Sequence, residues 1–327
     1  MPDQLKHHDL VLVGTGPMAV EYARVLQALG KITLVIGRSE GSAATFEAKT
    51  GLAPFTGGLA RYLSQYNALP PRAIVAVGVP ELAEVTATLL DASVTDILVE
   101  KPAGLNPREI RQLGEKCKQA DARVYIAYNR RFYASVQKLM KLVEQDGGAQ
   151  SFFFDFTEWG HVIEKSPQRD IVKANWLIAN SSHVIDLAFY LAGYPTRLYA
   201  QVAGSLGWHP GGAVYTGAGK TNRGIPFSYH ANWAGPGRWG VEVITRTNRY
   251  FLRPLEKLAR QPLGTVDLEK VDLDDELDQR FKPGLYLQTE AFLKGHSDVF
   301  PSIAEHVENM AVYLQILEGN GLRIFTE

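Results

Sequence analysis

The chain has 327 residues, of which 46% are hydrophobic and 21% are charged, and its formal net charge is −1. This composition is typical of a soluble globular protein with one large or two medium-sized domains. The near-neutral charge, without a basic or acidic block, argues against nucleic acid or an anionic membrane as the main partner. No apolar segment reaches the ~18 residues of a membrane span, and the polar first residues do not have the pattern of a signal peptide.

The cysteine and histidine content narrows the class further. The chain contains one cysteine, Cys117, which excludes an intrachain disulfide framework and favours a reducing compartment. We therefore expect a cytoplasmic location. No group of cysteines and histidines has the spacing of a zinc site, so we predict no metal.

Up to residue 127, short apolar segments alternate with helical patterns, as in a doubly wound parallel sheet of the α/β class. Helical spacing of Tyr22, Leu26 and Leu29 predicts the first crossover helix. Later helices are predicted over Glu81–Leu90 and Pro107–Ala120. The predicted strands are Leu10–Val13, Ile32–Ile36, Ala73–Gly78, Ile97–Val99 and Arg123–Ala127. Residues 1–127 are therefore expected to form one domain.

The pattern changes after residue 127. A helix over about residues 135–145 precedes long strand-like segments, which indicate an α+β domain with a large, mostly antiparallel open sheet over residues 128–327. Its predicted strands are Ser151–Trp159, Thr196–Gly204, Phe227–Trp233 and Trp239–Thr245. The glycine-rich segment Trp208–Arg223 is predicted to be a mobile loop. The amphipathic terminal helix, residues 301–317, could pack back onto the first domain.

A glycine-containing turn, Val13–Ala19, follows the first strand and opens the first helix. In this pattern Gly14 permits a tight turn, Gly16 lets the backbone approach a pyrophosphate, and Ala19 allows close packing of helix on strand. Pro17 and Met18 belong to the same turn. The pattern predicts a Rossmann domain that binds a dinucleotide, although a single motif of this kind is weak support.

The segment after the second strand bears on the choice of dinucleotide. An acidic residue there binds the ribose hydroxyls of NAD, whereas an arginine accommodates the 2′-phosphate of NADP. Here the strand is followed by Arg38 and Ser39, with Glu40 one position later. We predict that NADP(H) is preferred and that NAD(H) is possible; the alternative is that Arg38 is simply a solvated loop residue.

Lys101 is the strongest catalytic candidate. It lies in the segment Val99–Pro102, at the end of the fourth predicted strand, together with Glu100. Oxidation of a carbinol requires removal of the hydroxyl proton as the hydride leaves, and a lysine near a positively charged nicotinamide could take or share that proton. Pro102 favours an extended backbone at Lys101 and allows a cis peptide bond. The alternative is a surface lysine before a turn.

The glycine turn and the Glu100–Pro102 segment, with Tyr128–Phe132 and Asn180–Asp186, resemble the Gfo/Idh/MocA family, named after glucose–fructose oxidoreductase, inositol dehydrogenase and a rhizopine catabolism protein. The resemblance implies an NAD(P)-dependent oxidoreductase acting on a sugar, polyol or nucleotide-linked sugar. It also implies that Glu100, Lys101 and Asn129 contact the cofactor and that Lys101 and Arg130 contact the substrate; the alternative for Asn129 and Arg130 is a salt bridge at a domain hinge. The second domain would bind substrate and form a homodimer or homotetramer. Many members have an aspartate where this chain has Ala179.

His183 is the second catalytic candidate. Asn180, Ser181 or Ser182 could cap the following helix and place His183 in its first turn, where the helix dipole favours a neutral imidazole. Asp186, one turn later, could orient a ring nitrogen, or it could instead bind only the N-terminal region of the helix or a neighbouring arginine. Asn180 and Trp176 are candidate substrate contacts, while a structural role for His183 remains the alternative.

All five tryptophans, Trp159, Trp176, Trp208, Trp233 and Trp239, fall in the second predicted domain. They could stack on sugar rings or a nucleotide base, but core packing is the simpler interpretation. Two other functional hypotheses use the same motifs. One is a cofactor-binding regulatory or structural protein without turnover, and the other is a reductase of an imine or a non-sugar carbonyl.

Overall fold

The computed structural model describes residues 8–66 and 68–325. Its contacts divide these residues into two compact units. Unit 1 contains the chain up to Ala127 together with Arg280–Glu308, and unit 2 contains Tyr128–Gln279 and the chain from Asn309 onward. The sequence pattern changes at the same place, residue 127, but it does not indicate that the chain returns to unit 1 as early as residue 280.

Unit 1 is built on a five-stranded parallel sheet in the order β2-β1-β3-β4-β5. The chain passes from β1 to β2 on one side and then returns to β3 on the other side of β1, so the direction of the connections reverses between β1 and β3. Sheets of this kind bind ligands at such a topological switch point. This confirms the predicted doubly wound sheet. The elements are β1 (Leu10–Val13), α1 (Pro17–Ala28), β2 (Thr33–Ile36), α2 (Glu40–Thr50), α3 (Gly58–Tyr66), β3 (Arg72–Val75), α4 (Leu82–Asp91), β4 (Asp96–Glu100), α5 (Pro107–Gln119) and β5 (Arg123–Ala127).

Unit 2 is built on a nine-stranded sheet in the order β13-β12-β11-β10-β6-β9-β8-β7-β14, in which only the β6–β9 pair is parallel among the described residues. This confirms the predicted large and mostly antiparallel sheet. The remaining elements of the chain are α6 (Ala134–Gln145), β6 (Ser151–Asp155), α7 (Gly160–Lys165), α8 (Asp170–Ala174), α9 (Ser182–Ala192), β7 (Pro195–Ala203), β8 (Val214–Thr221), β9 (Pro226–Asn232), β10 (Gly240–Ile244), β11 (Asn248–Leu252), β12 (Ala259–Pro262), β13 (Glu269–Lys270), α10 (Glu276–Arg280), α11 (Leu285–Lys294), α12 (Ile303–Glu318) and β14 (Gly321–Ile324).

The buried face of this sheet is aromatic. Phe152 and Phe154 alternate with the half-buried Ser151 and Phe153 along β6 and pack edge-on against Phe189 of α9. Phe227 of β9 contacts the same three rings. Offset and edge-to-face contacts of this kind add to the burial of large apolar surfaces, so α9 is held firmly against the centre of the sheet.

Two predictions about the second domain were wrong in their details. The strand predicted over Ser151–Trp159 ends at Asp155, whose Oδ1 accepts a hydrogen bond from the Thr157 N–H and so turns the chain out of the sheet. The predicted loop Trp208–Arg223 contains β8, a full strand between β7 and β9. None of the helices in the described residues combines the length and apolar character needed to cross a bilayer.

Candidate active site

The glycine turn lies at the carboxyl end of β1. Gly14 has φ of +127°, and a Cβ atom there would lie 2.3 Å from the Ala76 carbonyl oxygen just beyond β3, so only glycine fits. Gly16 is the extended residue that precedes α1, and a Cβ atom on it would meet open space. Ala19 is fully buried in the first turn of the helix. The turn therefore leaves the helix N-terminus accessible while packing tightly against the sheet.

The N-terminus of α1 fits the pyrophosphate of a dinucleotide. Pro17 occupies the first turn, and no side chain caps the backbone N–H groups of that turn, which includes Met18. Twelve residues of α1 contribute to a helix dipole whose positive end faces this opening. The turn is therefore suited to binding a pyrophosphate, the group that the motif predicts.

The carboxyl end of β2 lies beside this turn. Gly37 approaches the Thr15 side chain so closely that a Cβ atom would lie 2.6 Å from Thr15 Cγ2. Ser42 Oγ lies 2.8 Å from both Thr15 Oγ1 and Ser39 Oγ, and Ser39 caps α2. Arg38 has a largely exposed guanidinium (81%) that is 3.8 Å from a Glu81 carboxylate oxygen. A cation, hydroxyl groups and a helix N-terminus therefore meet where the ribose of a dinucleotide would bind.

Lys101 follows β4, and β3 is the one strand between β1 and β4. Val13, Val75 and Val99 are in register across these three strands, so the glycine turn and Lys101 leave the same edge of the sheet. Two strand spacings put the two segments about 10 Å apart. The peptide bond between Lys101 and Pro102 is cis.

Buried hydrogen bonds within unit 1 hold the segment around Lys101. Tyr22 of α1 donates to Glu100 Oε1 at 2.8 Å, and Gln288 of α11 donates to the Tyr22 hydroxyl at 2.9 Å. His306 Nε2 lies 3.0 Å from the Pro102 carbonyl oxygen and donates to it. Burial, reinforced by the Glu100 carboxylate, raises the pKa of Tyr22, so its hydroxyl remains a donor. The backbone on both sides of Lys101 is fixed.

In unit 2, the turn Asn129–Phe132 is tied to α9 by a buried ion pair. Arg131 Nε and Nη2 donate to the two carboxylate oxygens of Asp186 at 2.8 and 2.7 Å, and Nη2 also donates to the Tyr194 hydroxyl. Burial alone would lower the pKa of Arg131, but the Asp186 charge and hydrogen bonds raise it. Of the three roles predicted for Asp186, the structure shows the one with an arginine partner.

The ion pair places Arg130 beside His183. Arg130 Nη1 lies 2.7 Å from His183 Nε2 and also donates to Asn129 Oδ1 at 2.8 Å. Because a guanidinium has only donors, His183 Nε2 must accept, which fixes a neutral imidazole protonated at Nδ1. His183 is buried, and its ring lies 6.1 Å from that of Trp239. For His183 to accept a proton at Nε2, Arg130 must first turn away.

The helix around His183 does not begin with the predicted side-chain cap. A π-helical turn, Leu177–Ser181, leads directly into α9, and no side chain caps α9. Instead, Asn180 Nδ2 and Ser181 Oγ donate to Glu158 Oε1 at 2.9 and 2.7 Å, and Ser182 Oγ donates to the Ile178 carbonyl. The neutral state of the His183 imidazole therefore follows from its contact with Arg130 and not from a position at a helix N-terminus.

Glu158 is a candidate site residue that the sequence interpretation missed. It is 1% exposed, and its Oε2 accepts a hydrogen bond from Arg238 Nη1 at 3.0 Å. Burial raises the pKa of Glu158, against the effects of the Ser181 hydrogen bond and the Arg238 charge. The sequence did contain an indication of this. Glu158 continues the alternation of Phe152, Phe154 and Phe156, and a charged residue at a position that this alternation predicts to be buried is unusual.

The tryptophans divide between core and surface. Trp233 and Trp239 are buried, whereas Trp159 is 49% exposed. Trp208 stacks on Trp233 with nearly parallel rings, and Trp176 meets Trp208 edge-on at 6.3 Å. Among the described residues, no group of three histidine, cysteine or acidic side chains could hold a metal ion.

Comparison with known proteins agrees with the dinucleotide site. Residues 9–128 match the GFO_IDH_MocA model, described as an oxidoreductase family with an NAD-binding Rossmann fold. This match confirms the resemblance predicted from the motifs for this part of the chain. No curated protein matches the chain.

Solved structures share the whole fold at low sequence identity. An oxidoreductase from Agrobacterium radiobacter, in complex with NAD+, L-tartaric acid and magnesium, is 14% identical, with a TM-score of 0.77 over 97% of this chain and 98% of that one. Levoglucosan dehydrogenase in complex with NADH and L-sorbose is 16% identical, with a TM-score of 0.76 and the same coverage. The WlbA dehydrogenase from Bordetella pertussis, in complex with NADH and UDP-GlcNAcA, is 16% identical, with a TM-score of 0.72 over 97% and 98%.

Proposed function

We propose that the protein is a cytoplasmic NAD(P)-dependent dehydrogenase or reductase that transfers a hydride between the nicotinamide and a CH–OH or carbonyl carbon of a sugar, polyol or nucleotide-linked sugar. The observation that carries the proposal is the common sheet edge from which the glycine turn and Lys101 both emerge. The structural relatives named above bind NAD(H) together with a hydroxy acid, a sugar or a nucleotide-linked sugar, which supports this substrate class.

The cofactor contacts follow from unit 1. Gly14, Gly16, Pro17, Met18 and Ala19 would hold the pyrophosphate at the N-terminus of α1. Arg38 and Ser39 would bind the adenosine ribose, and Glu100, Lys101 and Asn129 are assigned to the nicotinamide half. When bound, the nicotinamide supplies or accepts the hydride.

The proton has to move with the hydride, and Lys101 is proposed to hold it. Its Nζ would take the carbinol proton in oxidation or donate a hydrogen bond to the carbonyl oxygen in reduction. His183 is proposed as the second proton-handling group, and its neutral form suits that role. Arg130, Trp176 and Asn180 are proposed to position the substrate.

Arg38→Ala should remove most of a preference for NADPH over NADH. A charge-assisted contact to the 2′-phosphate is worth about 1.5–3 kcal/mol, so NADPH affinity should fall roughly 10- to 100-fold while NADH affinity changes little. Arg24→Ala, on the exposed surface of α1, is the matched control. Fluorescence titration of both cofactors gives the answer, and a wild type that binds NADH as tightly as NADPH contradicts the assignment.

The open face of the nine-stranded sheet is proposed to form a homodimer, or a tetramer built from two dimers. Phe153 and Phe251 are half-buried and Tyr199 is 45% exposed, at positions that alternate with buried ones, and Ile324 of the edge strand β14 is 62% exposed. Sedimentation at micromolar concentration should show a dimer or tetramer, which Tyr199→Glu should weaken. A monomeric wild type contradicts this proposal.

The function itself is tested with a panel of sugars, polyols and nucleotide-linked sugars, in both reaction directions and with both cofactors. Formation or loss of reduced nicotinamide with a panel member supports the proposal. Cofactor binding without turnover on any of them would favour a regulatory or structural protein. Turnover only with imines or non-sugar carbonyls would favour the third hypothesis.

A further inference from the structure

A cavity of about 540 Å³ lies in unit 2, outside the residues assigned to hydride transfer. Its walls include Trp159, Trp208 and Trp233, together with His161 and Glu164 of α7. Trp208 is half-buried and stacks on the buried Trp233, with ring centroids 5.8 Å apart and planes 5° from parallel. The buried ring thus fixes the orientation of the accessible one.

Small residues leave the aromatic rings uncovered. Four glycines line the cavity, at positions 160, 207, 235 and 237. Gly160 is required by close packing, because a Cβ atom there would lie 2.3 Å from the Trp233 carbonyl oxygen and 3.5 Å from the Trp208 ring. Trp159 is held in place although it is half exposed, since its Nε1 donates to the Gly237 carbonyl at 2.9 Å. The site is consequently a preformed space between fixed indole rings.

The charges around the cavity disfavour a phosphate group. Among the described residues that line the cavity, none is lysine or arginine, and one, Glu164, is acidic. A nucleoside diphosphate would bring negative charge beside this carboxylate, and the nearby Arg238 guanidinium is already paired with Glu158 at 3.0 Å. An uncharged polyhydroxylated ring meets all the conditions, because its C–H faces pack on indole rings and its hydroxyls can bond His161 and Glu164.

Ring contacts connect the cavity with His183. The His183 ring lies 6.1 Å from that of Trp239, and the Arg238 guanidinium lies 4.5 Å from the Trp239 ring and 5.0 Å from the Trp159 ring. Trp159 also follows Glu158, which bonds Asn180 and Ser181 just before His183. A ligand in the cavity therefore lies next to the framework that positions the proposed active-site histidine.

We infer that this cavity is a subsite for an uncharged saccharide ring, a part of the substrate that does not react. The inference rests on the proposed function in placing the reacting carbon near His183. It narrows the substrate from sugars in general to a glycoside or oligosaccharide with a second neutral ring. Binding energy from such a remote ring can be used at the reacting carbon.

Saccharide binding by the whole protein tests the inference. Cellobiose, maltose and lactose serve as uncharged probes and uridine monophosphate as the charged one, measured by saturation-transfer NMR titration with NADPH present. At least one disaccharide should bind the wild type. Trp208→Ala and Trp159→Ala should each weaken that binding on the order of tenfold, and Trp208→Phe should restore most of it. Ile171→Ala, at a comparably exposed apolar residue outside the cavity, should have no effect.

The outcomes separate this inference from the proposed function. The inference would be overturned if none of the three disaccharides binds, or if disaccharide binding is unchanged in both alanine variants. It would also be overturned if uridine monophosphate binds more tightly than the disaccharides and Trp208→Ala abolishes that binding. Unfolding temperatures of the variants near that of the wild type exclude misfolding as the cause of any loss. Saccharide binding lost in the tryptophan variants without any hydride transfer would support the subsite and count against the proposed function. Hydride transfer on a substrate whose KM is unchanged by Trp208→Ala would support the proposed function and count against the subsite.

Discussion

Lys101→Ala should lower the turnover number by a factor on the order of 10²–10⁴, the range for a positioned acid–base group. The affinity for NADPH should change little, because the glycine turn at Gly14–Ala19 would hold the pyrophosphate about 10 Å away along the sheet edge. Steady-state kinetics on a substrate from the panel, with cofactor titration alongside, separates the two effects. Lys116→Ala, at a surface lysine paired with Asp91, should leave turnover unchanged.

The same variant allows a test of cooperation with His183. If both side chains serve one proton transfer, the losses in Lys101→Ala and His183→Ala should not add in the double variant. The pH–rate profile should lose one limb in one of the single variants. Near-normal turnover of Lys101→Ala on the true substrate would mean that Lys101 is only a structural residue at the end of β4.

Asp186→Ala should destabilise unit 2 strongly, with a cost of about 3–5 kcal/mol. The loss has this size because the Arg131 guanidinium, 6% exposed, would be left as a buried charge without its carboxylate. The turn that carries Arg130 would also lose its tie to α9, so catalysis should fall at temperatures where the variant is still folded. Urea unfolding and activity assays measure the two consequences.

A matched pair of controls distinguishes a buried charge from the general loss of an acidic group. Glu269→Ala breaks an ion pair with Arg260 in which both side chains are exposed, and stability should change far less. The double variant Arg131→Met, Asp186→Leu removes both charges and should recover much of the stability lost in Asp186→Ala. A loss in the double variant as large as in the single one would show that the unpaired charge is not the cause.

The elements that place the cofactor-binding residues could be predicted because their signals are local. The apolar segment of β1, the glycines after it and the proline after Lys101 each constrain the backbone within a few residues. The helix α2 was missed because only Ala43 and Phe46 of its eleven residues are buried, so it has little helical hydrophobic pattern. The return of the chain to unit 1 at residue 280, ahead of the predicted terminal helix, has no local signal.

The strand β8 shows why a glycine-rich segment can mislead. Gly217 and Gly219 suggested a loop, but a Cβ atom at these positions would lie 2.4 Å from the Tyr229 ring and 2.6 Å from the Phe227 ring. These glycines make room for aromatic side chains of the neighbouring strand β9, a non-local reason for their presence. The pairing of Arg130 with His183 and of Glu158 with Asn180 is likewise non-local, and only the fold brings these residues together.

The central claim is that the protein transfers a hydride directly between a carbinol carbon and the nicotinamide. It is tested most directly with a substrate from the panel that carries deuterium on the carbon to be oxidised, followed by mass spectrometry and NMR of the reduced cofactor. We expect the deuterium at C4 of the nicotinamide in reactions of the wild type, and a greatly reduced rate of its appearance with Lys101→Ala. Deuterium that remains in the substrate or passes to water, or equal transfer rates in the two proteins, would contradict the account.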